Sequence, residues 1–468
     1  MKVGAKFCAA CGFAMEAAAP EKKKSKLPLI LGGGIASVFA IGIAIALIIG
    51  SLTGNGNKPP GLSPKELAAM QSDRTETAFE PAPQSNPADL ELDLPMPEPA
   101  PAIVYEPYVF DEAKAIPASR LLEYYELNDI EMRLYEEILA GIINLEPLIY
   151  IETPLDYYDD DDFGMLLKAR SALTSVHPEM FWVSSKWDFA RLTDGTIIVE
   201  PHYLIDGHNF GAEFDGSWYI LPTDSEMSEA KAWIERQQSE LQNILEELPV
   251  HSGMTPFELE LAVFDWLSLN VTYDTNAPNR DSLYGALIDK ASACEGYSVA
   301  FQYIMGLMGI ECLMIYGTYE DGPHGWNAVK LDGQWYQVDV TSGATNLVDA
   351  GLPYRVYLNR TEEFMNLHQA WGDQDGRINA PIDLTATEYN YFVMIGQQPI
   401  ASDEEFTRLV PDYIAQARAE GRPMFELEFD PSYARPREIE DKIKLIDSRL
   451  WEGITFDWTA RLVVGIFG

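Results

Sequence analysis

Positive charge is scarce in this chain. Only 33 of its 468 residues are lysine or arginine, against 73 aspartates and glutamates, for a net charge of −40. Neutralising phosphates takes a basic face, so an ordinary nucleic-acid binder is excluded. Four cysteines are too few for a disulfide-dense scaffold. Six scattered histidines make no metal-rich tract. Apolar residues are not scarce. At 47% they can fill a sizeable core, which excludes global disorder, and the length allows two or three domains.

Charge of either sign is missing altogether between Leu27 and Asn57. The run over 27–52 is long enough to span a bilayer, for which a helix of about 20 residues suffices. A cleaved signal peptide is the competing reading, but the run is long, starts late and follows a CxxC segment. Residues 1–27 carry six lysines and two glutamates, with Lys22, Lys23, Lys24 and Lys26 abutting the run. The positive-inside rule then predicts a cytoplasmic N-terminus (1–26), a single-pass transmembrane helix (27–52) and an extracytoplasmic body at the cell membrane. Ten prolines among small and acidic residues mark 53–104 as a stiff spacer that buries too little to order itself.

From about residue 105 the pattern becomes globular, and three segments are expected: an α+β part over 105–250, a core over 251–400 and an extension over 401–468. The spacing of apolar residues predicts helices over 121–142 and 225–248. Thr255-Pro256-Phe257-Glu258 has capping-box spacing with proline at the first helical position, ahead of a stripe of Phe257, Leu261, Phe264 and Leu267. Thr193-Asp194-Gly195-Thr196 predicts a two-residue hairpin turn between KWDFARL and TIIVEPHYLI. Further on, YNYFVMIG and FELEF read as strands, and 403–420 and 436–449 as helices.

Chemistry concentrates in 291–343. Tyr297 to Met308 is helix-compatible and stops at Gly309, which puts Cys294 at the first turn, where the helix dipole and free N–H groups favour a thiolate and can hold an oxyanion. Alone, Cys294 could equally be a small buried hydrophobe. Leu331-Asp332-Gly333-Gln334 reads as a two-residue turn joining strands 324–331 and 334–341. That register sets Asp339 opposite Trp326 and His324 opposite Thr341. His324 and Trp326 share a face, so His324 and Asp339 become diagonal neighbours about 7–8 Å apart at Cα. Cysteine, histidine and aspartate in this order suit nucleophilic acyl transfer: His324 takes the thiol proton, Asp339 orients the ring and Cys294 attacks a carbonyl. The bland alternative makes His324 a loop cap and Asp339 a solvated strand residue.

Cys294-Glu295-Gly296-Tyr297, His324-Gly325-Trp326-Asn327 and Gly333-Gln334-Trp335-Tyr336-Gln337-Val338-Asp339-Val340-Thr341 together resemble the core of bacterial transglutaminase-like proteins. The resemblance extends to Asp265-Trp266-Leu267, to Val271-Thr272-Tyr273-Asp274 and to Tyr284-Gly285-Ala286-Leu287. It is looser through His177-Pro178-Glu179-Met180-Phe181-Trp182. It implies an α+β, papain-like fold, with a cysteine-bearing helix packed on an antiparallel sheet that carries His and Asp. It also implies Cys294 as nucleophile, His324 as base and Asp339 as orienting acid, with no catalytic cofactor, while the extracytoplasmic placement suggests cell-envelope protein or peptide substrates. A non-catalytic envelope scaffold on the same fold is the alternative. The chain departs from the family at Gly325, where alanine is usual, and at Ser342-Gly343-Ala344, where Trp-Asp-Asp or a similar triplet is frequent. His368 matches a position often seen in the family and reads as structural.

Cys8 and Cys11, in KFCAACGFAM, resemble one knuckle of a zinc ribbon. Structural zinc takes four ligands, so either two chains share one metal or the ribbon is degenerate. The acidic run Asp156-Tyr157-Tyr158-Asp159-Asp160-Asp161-Asp162 lacks the alternation and turn glycine of a calcium loop and reads as a solvated stretch ahead of a helix. Cys312, in ECLMIYG, reads as a packed core thiol.

Overall fold

The computed structural model describes residues 106–430 apart from short segments at 156–159, 215–218, 320–321, 347–350, 367–368 and 372–381, together with parts of 433–466 and the strands Lys6–Phe7 and Ala14–Met15. The expected span at 27–52 and spacer at 53–104 lie outside the described residues. Among those described, no helix is long and apolar enough to cross a membrane. Cys8 and Cys11 also lie outside, between the two short strands, which pair antiparallel with Lys6 opposite Met15 and Phe7 opposite Ala14. His368 is likewise outside.

The body is mixed α and β with antiparallel sheets. Its first expected helix is broken in two. A short helix, Ala118–Leu122, runs into a 3-10 turn, and α1 (Asp129–Ile143) starts afresh. Asn128 causes the restart, because its side chain accepts from the N–H groups of Ile130 (2.9 Å) and Glu131 (3.0 Å) while Glu131 accepts from the Asn128 N–H (2.8 Å). Next come β1 (Ile149–Ile151), α2 (Asp160–Val176), β2 (Val183–Arg191), β3 (Ile197–Ile205) and β4 (His208–Phe210). The sheet order is β1-β3-β2, with β4 also on β3. The β2–β3 turn uses three residues rather than two. Leu192 bonds Thr196 across it (2.8 Å), and Gly195 takes φ +95°. Asp160 opens α2, so the acids 160–162 lie in the helix, and residues 156–159 of the acidic run lie outside the described residues. Among the described residues no three His, Cys, Asp or Glu stand close enough to hold a metal.

Two long helices follow, α3 (Asp224–Glu246) and α4 (Pro256–Asn270), each opened by a threonine capping box, Thr223–Glu226 and Thr255–Glu258. Beyond α4, the two-residue strands β5 (Thr272–Tyr273) and β6 (Ala291–Ser292) pair in parallel and lead into α5 (Cys294–Leu307). The helix ends as expected at Gly309, which takes φ +79°. Then β7 (Cys312–Tyr319), β8 (Gly322–Leu331) and β9 (Gln334–Val338) form the main sheet in the order β9-β8-β7-β10, with β10 at Gln369–Trp371. Leu331 pairs with Gln334, and the ladder keeps that register to Asn327 opposite Val338. The loop residues Asp332 (φ 47°) and Gly333 (φ 82°) form the expected two-residue turn.

The expected strand over 334–341 stops at Val338, because Asp339 caps a helix, α6 (Val340–Asn346). The aromatic run 389–396 also departs from expectation. Asn390 caps a helical turn, Tyr391–Met394, with its side chain accepting from Phe392 N–H at 3.0 Å. In the extension, α7 (Asp403–Ala419) and β11 (Met424–Glu428) match the sequence pattern. The described residues of 436–449 (Glu438, Ile439, Lys442, Ile443 and Ile446) are helical. Two strands not foreseen, β12 (Ile454–Asp457) and β13 (Leu462–Ile466), complete a sheet in the order β11-β13-β12. One apolar cluster joins residues from Leu121 through Val464, and a smaller one lies under α7.

Candidate active site

Cys294 is the first residue of α5, preceded by Ala293, which offers no side-chain cap. No cap side chain therefore accepts from the first-turn N–H groups. Close packing holds the entry to this helix. A Cβ at Gly296 would stand 2.0 Å from Ser292 Oγ and 2.5 Å from the Arg280 carbonyl, so only glycine fits two residues after the cysteine. Ser298, one helical turn on from Cys294, ties helix to sheet. Its hydroxyl lies 2.9 Å from the Cys294 carbonyl and 3.0 Å from the Gly325 carbonyl.

His324 sits on β8 opposite Gly317. Its Nε2 is 2.9 Å from Asp339 Oδ2, with the imidazole side chain 11% exposed and the carboxylate fully buried. Burial opposes the imidazolium, but the charge and hydrogen bond of Asp339 outweigh it. A hydrogen bond and charge from Cys294 add to them, and the pKa is pushed up to about 10. The Trp326 ring stacks on His324 at 5.6 Å, and Trp326 is itself fixed by a hydrogen bond from its Nε1 to Gln337 Oε1 (2.6 Å).

Asp339 lies just past the sheet, not on it. Its N–H donates to the Tyr357 carbonyl (3.0 Å), and its carboxylate accepts from Ser342 N–H (3.2 Å) and Ser342 Oγ (2.8 Å). Burial works against the carboxylate, yet His324 and Ser342 together hold its pKa below the usual range. The register argument thus pairs the right residues, although the strand ends one residue before Asp339.

The structure therefore brings Cys294, His324 and Asp339 together. Residues 247–340 match the family model of the transglutaminase-like superfamily. This transglutaminase-like segment contains all three. Kyphoscoliosis peptidase of Homo sapiens is 30% identical over 20% of this chain and 17% of its own length, and that of Mus musculus is 29% identical over 19% and 16%. The chain thus spans about a sixth of the length of these curated relatives. A crystal structure of a TGase aligns over 42% of this chain and 52% of its own, at 14% identity and a TM-score of 0.21. That likeness is too slight to argue from.

Both departures from the family pattern have local explanations. A Cβ at Gly325 would press on the flexible tip of Met314, at 3.1 Å, and touch the Tyr316 ring at an ordinary 3.7 Å, so glycine is tolerated there rather than required. At Gly343 a Cβ would stand 2.6 Å from both Phe264 Cζ and Ser268 Oγ, so glycine lets α6 lie close on α4. Sequence reasoning missed Ser298 and Ser342. The first stands four residues after Cys294 on one helix face, and the second stands three after Asp339, at the spacing of a cap. Cys312 is a buried thiol, as expected, and burial pushes its pKa well up.

Proposed function

We propose that this protein is a membrane-anchored, extracytoplasmic enzyme that transfers or hydrolyses acyl groups of protein or peptide substrates through a Cys294 thioester. The observation that carries this reading is the buried His324–Asp339 pair set beside a cysteine at a helix N-terminus. In the proposed resting state the proton sits on His324, which its raised pKa favours at neutral pH. The sulfur attacks the carbonyl carbon, and the carbonyl electron pair moves to oxygen. Collapse expels the leaving amine, which takes its proton from His324. Water or an acceptor amine then attacks the thioester and returns the proton to the ring. Asp339 keeps the imidazole oriented throughout.

The test is intact-mass detection of an acyl-enzyme with wall peptides and glutamine-containing proteins. The wild type should gain a Cys294-linked adduct, and Cys294→Ala should gain none while remaining folded. Absence of any adduct, with Cys294 reacting like an ordinary thiol toward chloroacetamide at pH 6, would leave the scaffold reading. The anchor rests on the uncharged run over 27–52. Protease added to intact, wall-stripped cells should remove the body and spare the N-terminus, and a protected body would refute the orientation. Cys8 and Cys11 supply half of a tetrahedral zinc set, so a second copy of the chain would have to complete it.

A further inference from the structure

We infer that Glu260 is a positioning residue. As an uncharged carboxylic acid it closes a ring of two hydrogen bonds with the Asn359 amide, and that ring braces Asp339 and His324. This rests on the acyl-transfer reading above and names a residue that reading leaves unassigned. Glu260 lies on α4 and Asn359 in the stretch 355–360, and both are fully buried. Asn359 Nδ2 donates to Glu260 Oε2 at 2.7 Å. The other oxygen of each side chain, Glu260 Oε1 and Asn359 Oδ1, is buried without a hydrogen-bond partner among the described residues. An ionised carboxylate would leave both as acceptors with no donor, and a buried acceptor left unpaired is costly. A proton on Glu260 Oε1 makes it a donor, and Asn359 Oδ1 is the acceptor left over in the same pair.

The surroundings favour the neutral acid. Among the described residues no cation pairs with Glu260. On α4 itself Glu258 closes the capping box and Asp265 pairs with Arg355, while Arg360 is bound to Glu428. From β7 comes the buried Cys312 thiol. Of the helices packed on α4, α6 has no charged side chain and α5 has only Cys294 and Glu295, in its first turn. Burial therefore acts on Glu260 against a single neutral donor, and its pKa is pushed up to about 8. What the pair holds is the site. Asn359 takes φ +56°, a left-handed backbone that its side-chain bond pins. On one side of it the Tyr357 carbonyl accepts from the Asp339 N–H (3.0 Å). On the other, Arg360 exchanges two backbone hydrogen bonds with Gln337 (2.9 and 2.8 Å), and Gln337 fixes Trp326, on which His324 stacks. Ionising Glu260 takes the donor from Oε1 and sets the carboxylate against Asn359 Oδ1, so the ring opens and the brace loosens.

The experiment uses the full chain in detergent, with p-nitrophenyl acetate as acyl donor. The infrared difference between wild type and Glu260→Gln at pH 7 should show a protonated-carboxyl C=O band, lost as pH rises through about 8. Glutamine keeps both hydrogen bonds, so Glu260→Gln should acylate Cys294 within about twofold of wild type at pH 7. At pH 9 the wild type should fall about tenfold behind that variant, which has no proton to lose. Glu260→Ala should lower the saturated acylation rate about 10- to 100-fold with KM within about twofold. The infrared and Glu260→Gln arms stand even where Glu260→Ala does not fold. Absence of the band, or a Glu260→Gln enzyme as slow as Glu260→Ala, would overturn the inference. The acyl-transfer reading would survive, because wild-type Cys294 would still be acylated. The same wild-type to Glu260→Gln rate ratio at pH 7 and pH 9 would also overturn the inference alone. A wild type no faster than Cys294→Ala would overturn the reading, and with it the positioning role.

Discussion

Among the described residues two hairpins place a histidine against an aspartate, and they do different things. In the N-terminal sheet Asp188 pairs with Glu200, and His202, two residues further on, reaches Asp188 at 2.7 Å. In the main sheet the same diagonal relation joins His324 to Asp339 at 2.9 Å. Asp188 lies within its strand and Asp339 just past the end of one, and the surroundings differ more. Asp188 is 68% exposed, so water competes for both groups and the contact is worth roughly 0–1 kcal/mol. Asp339 is fully buried, its carboxylate is also held by Ser342, and a cysteine at a helix N-terminus faces the ring. A hairpin of the right register readily makes a pair. Burial and a third group delivered from elsewhere turn the pair into a site.

Breaking each pair in turn sharpens that contrast. The largest expected difference is in acylation: His324→Ala should lower the Cys294 acylation rate by roughly 10³-fold or more, while His202→Ala should leave it unchanged. Stopped-flow acylation of both variants decides this, and a matching loss from His202→Ala would end the distinction.

Stability comes next. Asp339→Asn strips the charge from a buried pair and should cost about 3–5 kcal/mol, measured by urea unfolding of the full chain in detergent. Asp188→Asn should stay within about 0.5 kcal/mol.

The pH dependence is a smaller effect with a definite sign. The raised pKa of His324 means its contribution is whole below its ordinary 6.5 and is lost progressively as pH climbs to about 10. The lowered pKa of Asp339 means its contribution is whole above its ordinary 3.8 and is lost as pH falls through the lowered value. Urea midpoints should therefore decline from neutral pH toward pH 10, and Asp339→Asn should flatten that decline. An unchanged slope in the variant would locate the alkaline loss elsewhere.

The smallest effect should be shared. Gly333→Ala and Gly195→Ala each force alanine to positive φ, and each should cost about 1 kcal/mol. The two turns differ in length, but not in what they ask of glycine.

Much of the site was legible because its determinants are local. Asp332-Gly333 determines the pairing of β8 with β9, and from it the meeting of His324 with Asp339 follows by counting. Gly309 marks the end of α5, and counting back puts Cys294 at its start. The failures were also local where two signals competed. Val338, Val340 and Thr341 favour a strand, yet Asp339 with Ser342 three residues on makes a cap, and the cap wins. The apolar residues 391–394 suggest a strand, but Asn390 caps a turn of helix. What could not be read was long-range. Arg355 reaches Asp265 with two hydrogen bonds, 2.8 and 2.7 Å, and Arg360 pairs with Glu428, across gaps that no periodicity spans.

Those two arginines flank the segment whose Tyr357 carbonyl holds the Asp339 N–H, and the Arg360 backbone pairs with Gln337 on β9. The far partner of Arg360 belongs to β11, in an extension without a candidate catalytic residue. One face of that sheet, with Met424, Leu462 and Val464, closes the main core, while the other, with Phe425, Leu427 and Val463, packs under α7. A chain cut at residue 400 would keep Cys294, His324 and Asp339. It would also strand the Arg360 guanidinium against Phe364 and Phe392 without its carboxylate, and open the core beside it. The smallest piece that holds the chemistry is therefore shorter than the smallest piece that holds its shape, and β11 and β13 work as a buttress, through Arg360, for an aspartate on another element.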